Sequence, residues 1–325
     1  MRYINIPGTE LYPSSICLGS THIGSAIDQG TAFKLFDAYV EQGGNFFDTA
    51  HVYGNWAPGE KSISEKTIGR WSQLRRNRGQ LILATKGAHP ELSTMHIGRL
   101  SRSEILHDLH DSLKSLQTDV IDLYWLHRDD ASRPVQDILE TLNEQVKAGK
   151  IRYFGCSNWR TDRIQAAQSY AAAHGLDGFA GNQMMWSLAL ADLAGIKDKT
   201  MVVMDDDMRQ YHVQTGLAAI PYSSQGNGLF QRMAHGSLAH MDPNLRGMYQ
   251  VEANRERFER IKRLAADSGL SPTQVVLSYL LSQPFASVPI VGCRTVEQLN
   301  DSLTAAGVRL EAEQVRYLEQ GGSRD

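Results

Sequence analysis

Ile121-Asp122-Leu123-Tyr124-Trp125-Leu126-His127 is followed by Pro134-Val135-Gln136-Asp137-Ile138-Leu139-Glu140-Thr141-Leu142-Asn143-Glu144-Gln145-Val146, then by Gly149-Lys150-Ile151-Arg152-Tyr153-Phe154-Gly155-Cys156. This stretch reads as strand, helix and strand. The two outer runs are short and densely apolar rather than alternating, as expected of parallel strands covered on both faces. Pro134 suits a first helical position, and Val135, Ile138, Leu139, Leu142 and Val146 form one apolar stripe that Gly149 stops.

The unit recurs along the chain. Strand-like runs fall at residues 15–18, 45–48, 81–85, 121–127, 151–156, 179–183, 217–222 and 287–291. Ser101 and Glu104 resemble a capping box, and Ile105, Leu106, Leu109, Leu113 and Leu116 line up behind them. Ser271-Pro272-Thr273-Gln274 and Thr295-Val296-Glu297-Gln298 read as two more helix starts. With no linker-like tract, the expected fold is α/β: a single (β/α)8 TIM barrel over residues 1–325 with long loops at its C-terminal face. An open doubly wound sheet would want a Gly-rich dinucleotide turn after the first strand. Leu18-Gly19-Ser20-Thr21-His22-Ile23-Gly24 does not spell one. Residues 3–6 and Leu11 flank Pro7-Gly8-Thr9-Glu10, which predicts an N-terminal hairpin. The Gly- and Met-rich stretch 223–250 is expected to cross the top face after the seventh strand.

The chain has 42% hydrophobic and 21% charged residues and a net charge of −3. That balance makes no electrostatic case for nucleic acid or an anionic membrane as partner. No apolar run approaches a membrane span, and the first seven residues lack the apolar core of a signal peptide. Cys17, Cys156 and Cys293 each sit in or beside a strand-like run and are expected to be buried thiols. The expected compartment is the cytoplasm.

Chemistry concentrates at three strand ends. Asp48, Lys86 and His127 close the second, third and fourth runs, and Tyr53 follows in the loop after Asp48. Barrel active sites assemble at the carboxyl ends of strands, so these residues would share one face. A phenol with an ordinary pKa of about 10 does not give up its proton readily at neutral pH. A cation alongside favours the phenolate, and a histidine can hydrogen-bond the phenol. Lys86 would supply the cation, with Asp48 holding the ammonium in place. A tyrosine so placed can exchange a proton with a substrate oxygen, which suits hydride delivery to a carbonyl carbon.

Asn45-Phe46-Phe47-Asp48-Thr49-Ala50-His51-Val52-Tyr53-Gly54 resembles the signature of the aldo-keto reductase superfamily. So do Ala84-Thr85-Lys86-Gly87, Asp122-Leu123-Tyr124-Trp125-Leu126-His127 and Gly149-Lys150-Ile151-Arg152-Tyr153-Phe154-Gly155-Cys156-Ser157-Asn158, in the family's order. The resemblance implies that Tyr53 is the general acid/base, that Lys86 and Asp48 tune it, and that His127 orients the carbonyl. It also implies NADP(H), or NAD(H), lying extended across the barrel mouth. Ser157, Asn158 and Gln183 would then hold the nicotinamide carboxamide, Tyr222 would stack on its ring, and Thr21 is a further cofactor-binding candidate. Ser223, Gln225 and Asn227 match the segment passing the pyrophosphate. Gly292, Arg294, Gln298 and Asp301 match the adenosine-phosphate segment, where Arg294 would pair with a 2′-phosphate and favour NADPH.

The substrate is expected to be a small carbonyl or alcohol compound, with His22, Trp56 and Trp186 as pocket walls. The polar loop Gly54-Asn55-Trp56-Ala57-Pro58-Gly59-Glu60 tilts this slightly toward a polyol or keto-sugar over an aromatic aldehyde. Trp125 and Trp159 are expected in packing roles. No metal site is expected. His107 and His110, with Asp108 and Asp111, fall on a predicted solvent face, Asp205-Asp206-Asp207 reads as a wet acidic run, and Asp129 and Asp130 as loop structure. Two rival functions stand: a Schiff-base aldolase using Lys86, and a cofactor-binding regulatory subunit with little turnover.

Overall fold

The computed structural model describes residues 1–321. Its strands are β1 (Cys17–Gly19), β2 (Phe46–Asp48), β3 (Ile82–Gly87), β4 (Ile121–Leu126), β5 (Ile151–Ser157), β6 (Gly181–Gln183), β7 (Ala218–Ala219) and β8 (Ile290–Val291). All pair in parallel, in the order β7-β6-β5-β4-β3-β2-β1-β8. Ala219 N to Ala286 O (2.8 Å), Val288 N to Ala219 O (2.9 Å) and Ile290 N to Pro221 O (2.9 Å) join the two ends of the sheet. The eight-stranded parallel barrel read from the sequence is therefore present.

Helices follow the strands: α1 (Gln29–Glu41), α2 (Ile63–Arg75), α3 (Arg102–Leu116), α4 (Val135–Lys147), α5 (Thr161–His174) and α6 (Asp206–Thr215). After β7 come α7 (Leu229–Ala234), α8 (Pro243–Met248), α9 (Glu252–Ser268) and α10 (Pro272–Leu281), and after β8 come α11 (Val296–Leu303) and α12 (Ala312–Gln320). Ser101 and Glu104 form the expected capping box on α3, and Ser271 and Gln274 form one on α10. Pro134 sits one position earlier than expected, at the cap of α4. Asp205 caps α6 by accepting from Met208 N at 2.8 Å, and the acidic run is exposed as expected. The stretch 223–250 is not a bare loop; α7 and α8 lie within it. Ahead of the barrel, Ile4 N to Pro13 O (2.9 Å) and Ile6 N to Leu11 O (3.1 Å) form the expected hairpin.

The apolar residues divide by parity. Phe46, Ile82, Ala84, Leu123 and Trp125 fill the barrel interior with Cys17, Ala218, Ile220 and Ile290, and Ile6 and Leu11 of the hairpin join them. Their neighbours Phe47, Leu83, Tyr124 and Leu126 point outward into the helical layer. Side chains alternate along a strand. Asp48, Lys86 and His127 therefore inherit the inward parity, one layer above Phe46, Ala84 and Trp125. Room for the indole comes from Gly155, where an added Cβ would lie 2.3 Å from a Trp125 ring carbon. Trp125 and Trp159 are both fully buried. The three cysteines are buried free thiols. Among the described residues no helix is long and apolar enough to cross a membrane.

Candidate active site

The hydrogen-bond ladder does not stop where the strands do. Thr49 N donates to Ala84 O and His51 N to Lys86 O, both at 2.9 Å, and His127 N donates to Gly87 O at 2.9 Å. The chain leaving β2 is thus zipped along β3, and Tyr53 is carried back over Lys86. Lys86 Nζ donates to an Asp48 carboxylate oxygen, to Thr49 O at 2.7 Å and to Tyr53 Oη at 3.1 Å. Three acceptors match the three N–H bonds of an ammonium. Gln183 Nε2 donates to the second Asp48 oxygen at 3.0 Å. Both carboxylate oxygens thus face donors, as an ionised carboxylate requires.

The Lys86 and Asp48 side chains are 1% and 2% exposed. Burial works against the Lys86 charge, but Asp48 and Tyr53 more than offset it, and the pKa lies above the ordinary lysine value. Burial raises the Asp48 carboxyl against the pull of Lys86 and Gln183. The His127 ring stands edge-on to Tyr53, with centroids 5.8 Å apart, and edge-on to His89 at 4.6 Å. Burial, then Arg128, His89 and Lys86, hold His127 well below the usual histidine range, so the imidazole is neutral. A phenol whose oxygen meets an ammonium, beside a neutral imidazole, can give a proton to a bound oxygen or take one back.

The loop after β3 is fixed from below. Ala88 adopts a left-handed φ of 58°, and its N–H donates to Asp108 Oδ2 at 2.8 Å. Arg99 pairs with both Asp108 oxygens at 3.1 Å and donates to His89 O at 2.9 Å. Asp108 is buried, which corrects its assignment to the solvent face, whereas His107 and His110 are exposed as expected. The helix stripe did not reveal it because the groups that hold Asp108, Arg99 and the Ala88 N–H, lie outside α3. Asp129, paired with Arg163 at 3.0 and 3.1 Å, and Asp130, on Ser132, serve loop structure.

The candidate cofactor residues fall into two groups. Asn158 Oδ1 accepts from Tyr222 Oη at 2.6 Å and from Val202 N at 3.0 Å, and its Nδ2 donates to Ser157 Oγ (3.0 Å) and His127 O (3.2 Å). With Gln183 on Asp48, this set surrounds the catalytic candidates. In the second group Gln225 Nε2 reaches Ser302 Oγ of α11 at 3.1 Å, joining the loop after β7 to the segment after β8. Arg294 is exposed just before α11, its N–H held by Gln298 Oε1 at 2.9 Å. Gly292, Asp301, Asn227 and Thr21 are exposed, and Ser223 is half-buried. Left-handed backbone at Asn158, directly after β5 as at Ala88 after β3, marks strand exits on this face, and Ser223 and Asn227 repeat it in the loop after β7.

Of the candidate pocket residues, Trp56 stands beside Tyr53, with centroids 6.1 Å apart and 47% of the residue exposed. His22, after β1, lies near enough to Arg294 for that cation to depress it further, after burial. Trp186 is buried edge-on to Tyr279 and stacked on Phe285, both at 6.0 Å, so its ring faces the helical layer. A cavity of about 340 Å³ lies elsewhere, against Thr9, Arg152 and Gly216, and contains none of the candidate residues.

Glu65 of α2 gave no signal in the sequence. It is fully buried and accepts from Thr85 Oγ1 at 2.5 Å, on the outward side of the strand that carries Lys86. Burial raises it from 4.5 to about 7. A carboxyl raised on folding binds its proton more tightly in the native chain, so stability falls as pH climbs from the unfolded value to about 7, then levels off. Glu65→Gln removes that slope. In urea unfolding, the stability lost between about pH 5 and pH 8 shrinks by on the order of 3 kcal/mol, at about 1.36 kcal/mol per pKa unit. An equal slope in both proteins would refute the assignment.

A closed parallel barrel carrying an ammonium–carboxylate couple and a tyrosine at its mouth defines a class of carbonyl/alcohol oxidoreductases. Residues 15–321 match the model of the aldo/keto reductase family, and the chain belongs to that family, which works with NAD(P)H. It is 32% identical to the uncharacterized oxidoreductase YrpG of Bacillus subtilis, over 98% of this chain and 95% of that protein. It is 31% identical to the norsolorinic acid reductase stcV of Emericella nidulans, over 94% and 77%. It is 29% identical to an aryl-alcohol dehydrogenase (NADP(+)) of Phanerodontia chrysosporium, over 96% and 83%.

Proposed function

We propose that this chain is an NADPH-preferring enzyme that interconverts an aldehyde and an alcohol, with Tyr53 as the proton donor and acceptor. The observation that carries the reading is the 3.1 Å contact from Lys86 Nζ to Tyr53 Oη at the barrel mouth. The bound nicotinamide supplies the hydride that reaches the carbonyl carbon. In reduction, Tyr53 gives its proton to the substrate oxygen, and the Lys86 ammonium stabilises the phenolate left behind. Asp48 keeps that ammonium charged and in place. Neutral His127, whose ring stands edge-on to Tyr53, presents a ring nitrogen to the carbonyl oxygen.

The residues present suit the cofactor. Arg294 is exposed immediately before the capped N-terminus of α11, where a guanidinium can meet a 2′-phosphate. Gln225, bonded to α11, gives a polar path from there toward Tyr222. Both amide atoms of Asn158 hold internal partners, so receiving a carboxamide there would mean exchanging one of them, whereas Gln183 uses its Nε2 on Asp48.

The polar groups after Tyr53 are engaged within the protein: Asn55 Oδ1 accepts from Ser62 N at 2.8 Å, and Glu60 pairs with Lys66 (3.0 Å) and Arg70 (2.8 Å). Asn55 is thus committed inside the protein, while Glu60 stays on the surface in pairs with Lys66 and Arg70. The exposed face of Trp56, with the similarity to an aryl-alcohol dehydrogenase, favours an aromatic aldehyde. A Schiff-base aldolase needs a neutral amine, whereas Lys86 is an ammonium with three acceptors. A silent regulatory subunit would bind cofactor without turnover.

Assay of aromatic aldehydes, ketoses and polyols with both cofactors tests the reading. Turnover is expected with aromatic aldehydes and NADPH. Arg294→Ala should raise the Kd for NADPH about 10- to 100-fold, as loss of a charge-assisted hydrogen bond implies, and leave NADH within about twofold. Equal weakening of both cofactors would remove Arg294 from the 2′-phosphate.

A further inference from the structure

Neutral His127 is followed directly by a charged residue, Arg128, that takes no part in the scheme above. Arg128 is 8% exposed, and its guanidinium donates in three directions. Its Nη1 reaches His127 O at 2.8 Å, its Nε Thr200 Oγ1 at 2.6 Å, and its Nη2 Asp198 Oδ2 at 2.9 Å. Thr200 and Asp198 lie some 70 residues further along, in the segment between β6 and α6. That segment runs back along the barrel mouth. Met185 N donates to Val202 O (2.9 Å), Met204 N to Met185 O (3.0 Å) and Val202 N to Asn158 Oδ1 (3.0 Å). Asn158 Nδ2 also donates to His127 O, so one carbonyl receives both the guanidinium and the amide.

We propose that Arg128 is a positioning residue for the reaction: its three-way clasp makes the His127 backbone and residues 198–204 one unit, setting the carbonyl-orienting ring and the adjoining wall of the mouth together. A planar fork can bridge a carbonyl, a hydroxyl and a carboxylate at fixed angles, which the point charge of a lysine cannot do. The clasp also keeps a cation beside His127, whose other neighbours are His89, Lys86 and the Tyr53 ring. This inference rests on the role given to His127 above.

The test compares Arg128→Gln, Asp198→Asn, their combination and Arg128→Lys in the full chain, with NADPH and an aromatic aldehyde. The Kd for NADPH stays within about twofold, while Arg128→Gln raises KM and lowers kcat by about tenfold each, the scale of a small misplacement. Asp198→Asn moves KM the same way by less, and the combination is no worse than Arg128→Gln, because both break one clasp. The acid limb of kcat/KM shifts upward in Arg128→Gln, since a repelling cation beside His127 is gone, and stays put in Arg128→Lys. Additive losses in the combination, or lower thermal stability with KM, kcat and the acid limb unchanged, would overturn the proposal. Should Arg128→Gln fail to fold, Asp198→Asn alone decides, through its KM. Absence of wild-type turnover with NADPH bound would instead sink the reading of the site, and this inference with it.

Discussion

Tyr53→Phe is expected to lower kcat by about 10²–10⁴ while NADPH still binds, the range for removing a positioned proton donor. The ring remains beside Trp56 and His127, and Lys86 keeps Asp48 and Thr49 O as acceptors. What disappears is the hydroxyl that the Lys86 ammonium contacts, the proposed proton donor to the substrate oxygen. Steady-state turnover of an activated aldehyde, read beside cofactor-induced quenching of tryptophan fluorescence, separates chemistry from binding. A variant keeping more than about a tenth of the wild-type kcat would show that the proton comes from elsewhere.

Lys86→Met should abolish turnover and also destabilise the fold, by about 3–5 kcal/mol, because it leaves Asp48 as a buried charge with Gln183 as its remaining donor. Urea unfolding measures the loss. The deficit should shrink on acidification, since a protonated Asp48 carries no charge to leave uncompensated. Adding Asp48→Asn to Lys86→Met should recover much of the stability and none of the activity. A double variant as unstable as the single one would mean that packing, not the isolated carboxylate, is responsible. Together the two substitutions separate the proton from the field that governs it.

How much of this was legible follows from distance along the chain. Asp48, Lys86 and His127 were readable because each ends a strand, and a polar residue closing an apolar run is conspicuous. Tyr53 was readable through its company in one ten-residue segment. Trp186 looked like a pocket wall by its place three residues after Gln183, yet Tyr279 and Phe285, about a hundred residues on, take its ring. Asp108 looked solvated because nothing local announces Arg99 and the left-handed Ala88. Arg128 gave no signal, as its partners Asp198 and Thr200 lie in a segment with no regular pattern.

Local periodicity and strand-end chemistry, both short-range properties, determined from the sequence that strands and helices would alternate into a barrel with Asp48, Tyr53, Lys86 and His127 at one end. Tertiary structure decided which strand parity faces inward, and thereby that the lysine, carboxylate and phenol meet within hydrogen-bond reach. It also decided that Asn55 turns to Ser62 and that the 198–204 segment is clasped to Arg128. Those outcomes depend on barrel closure, which brings together residues tens of positions apart, and no pattern of neighbours in the chain encodes that proximity.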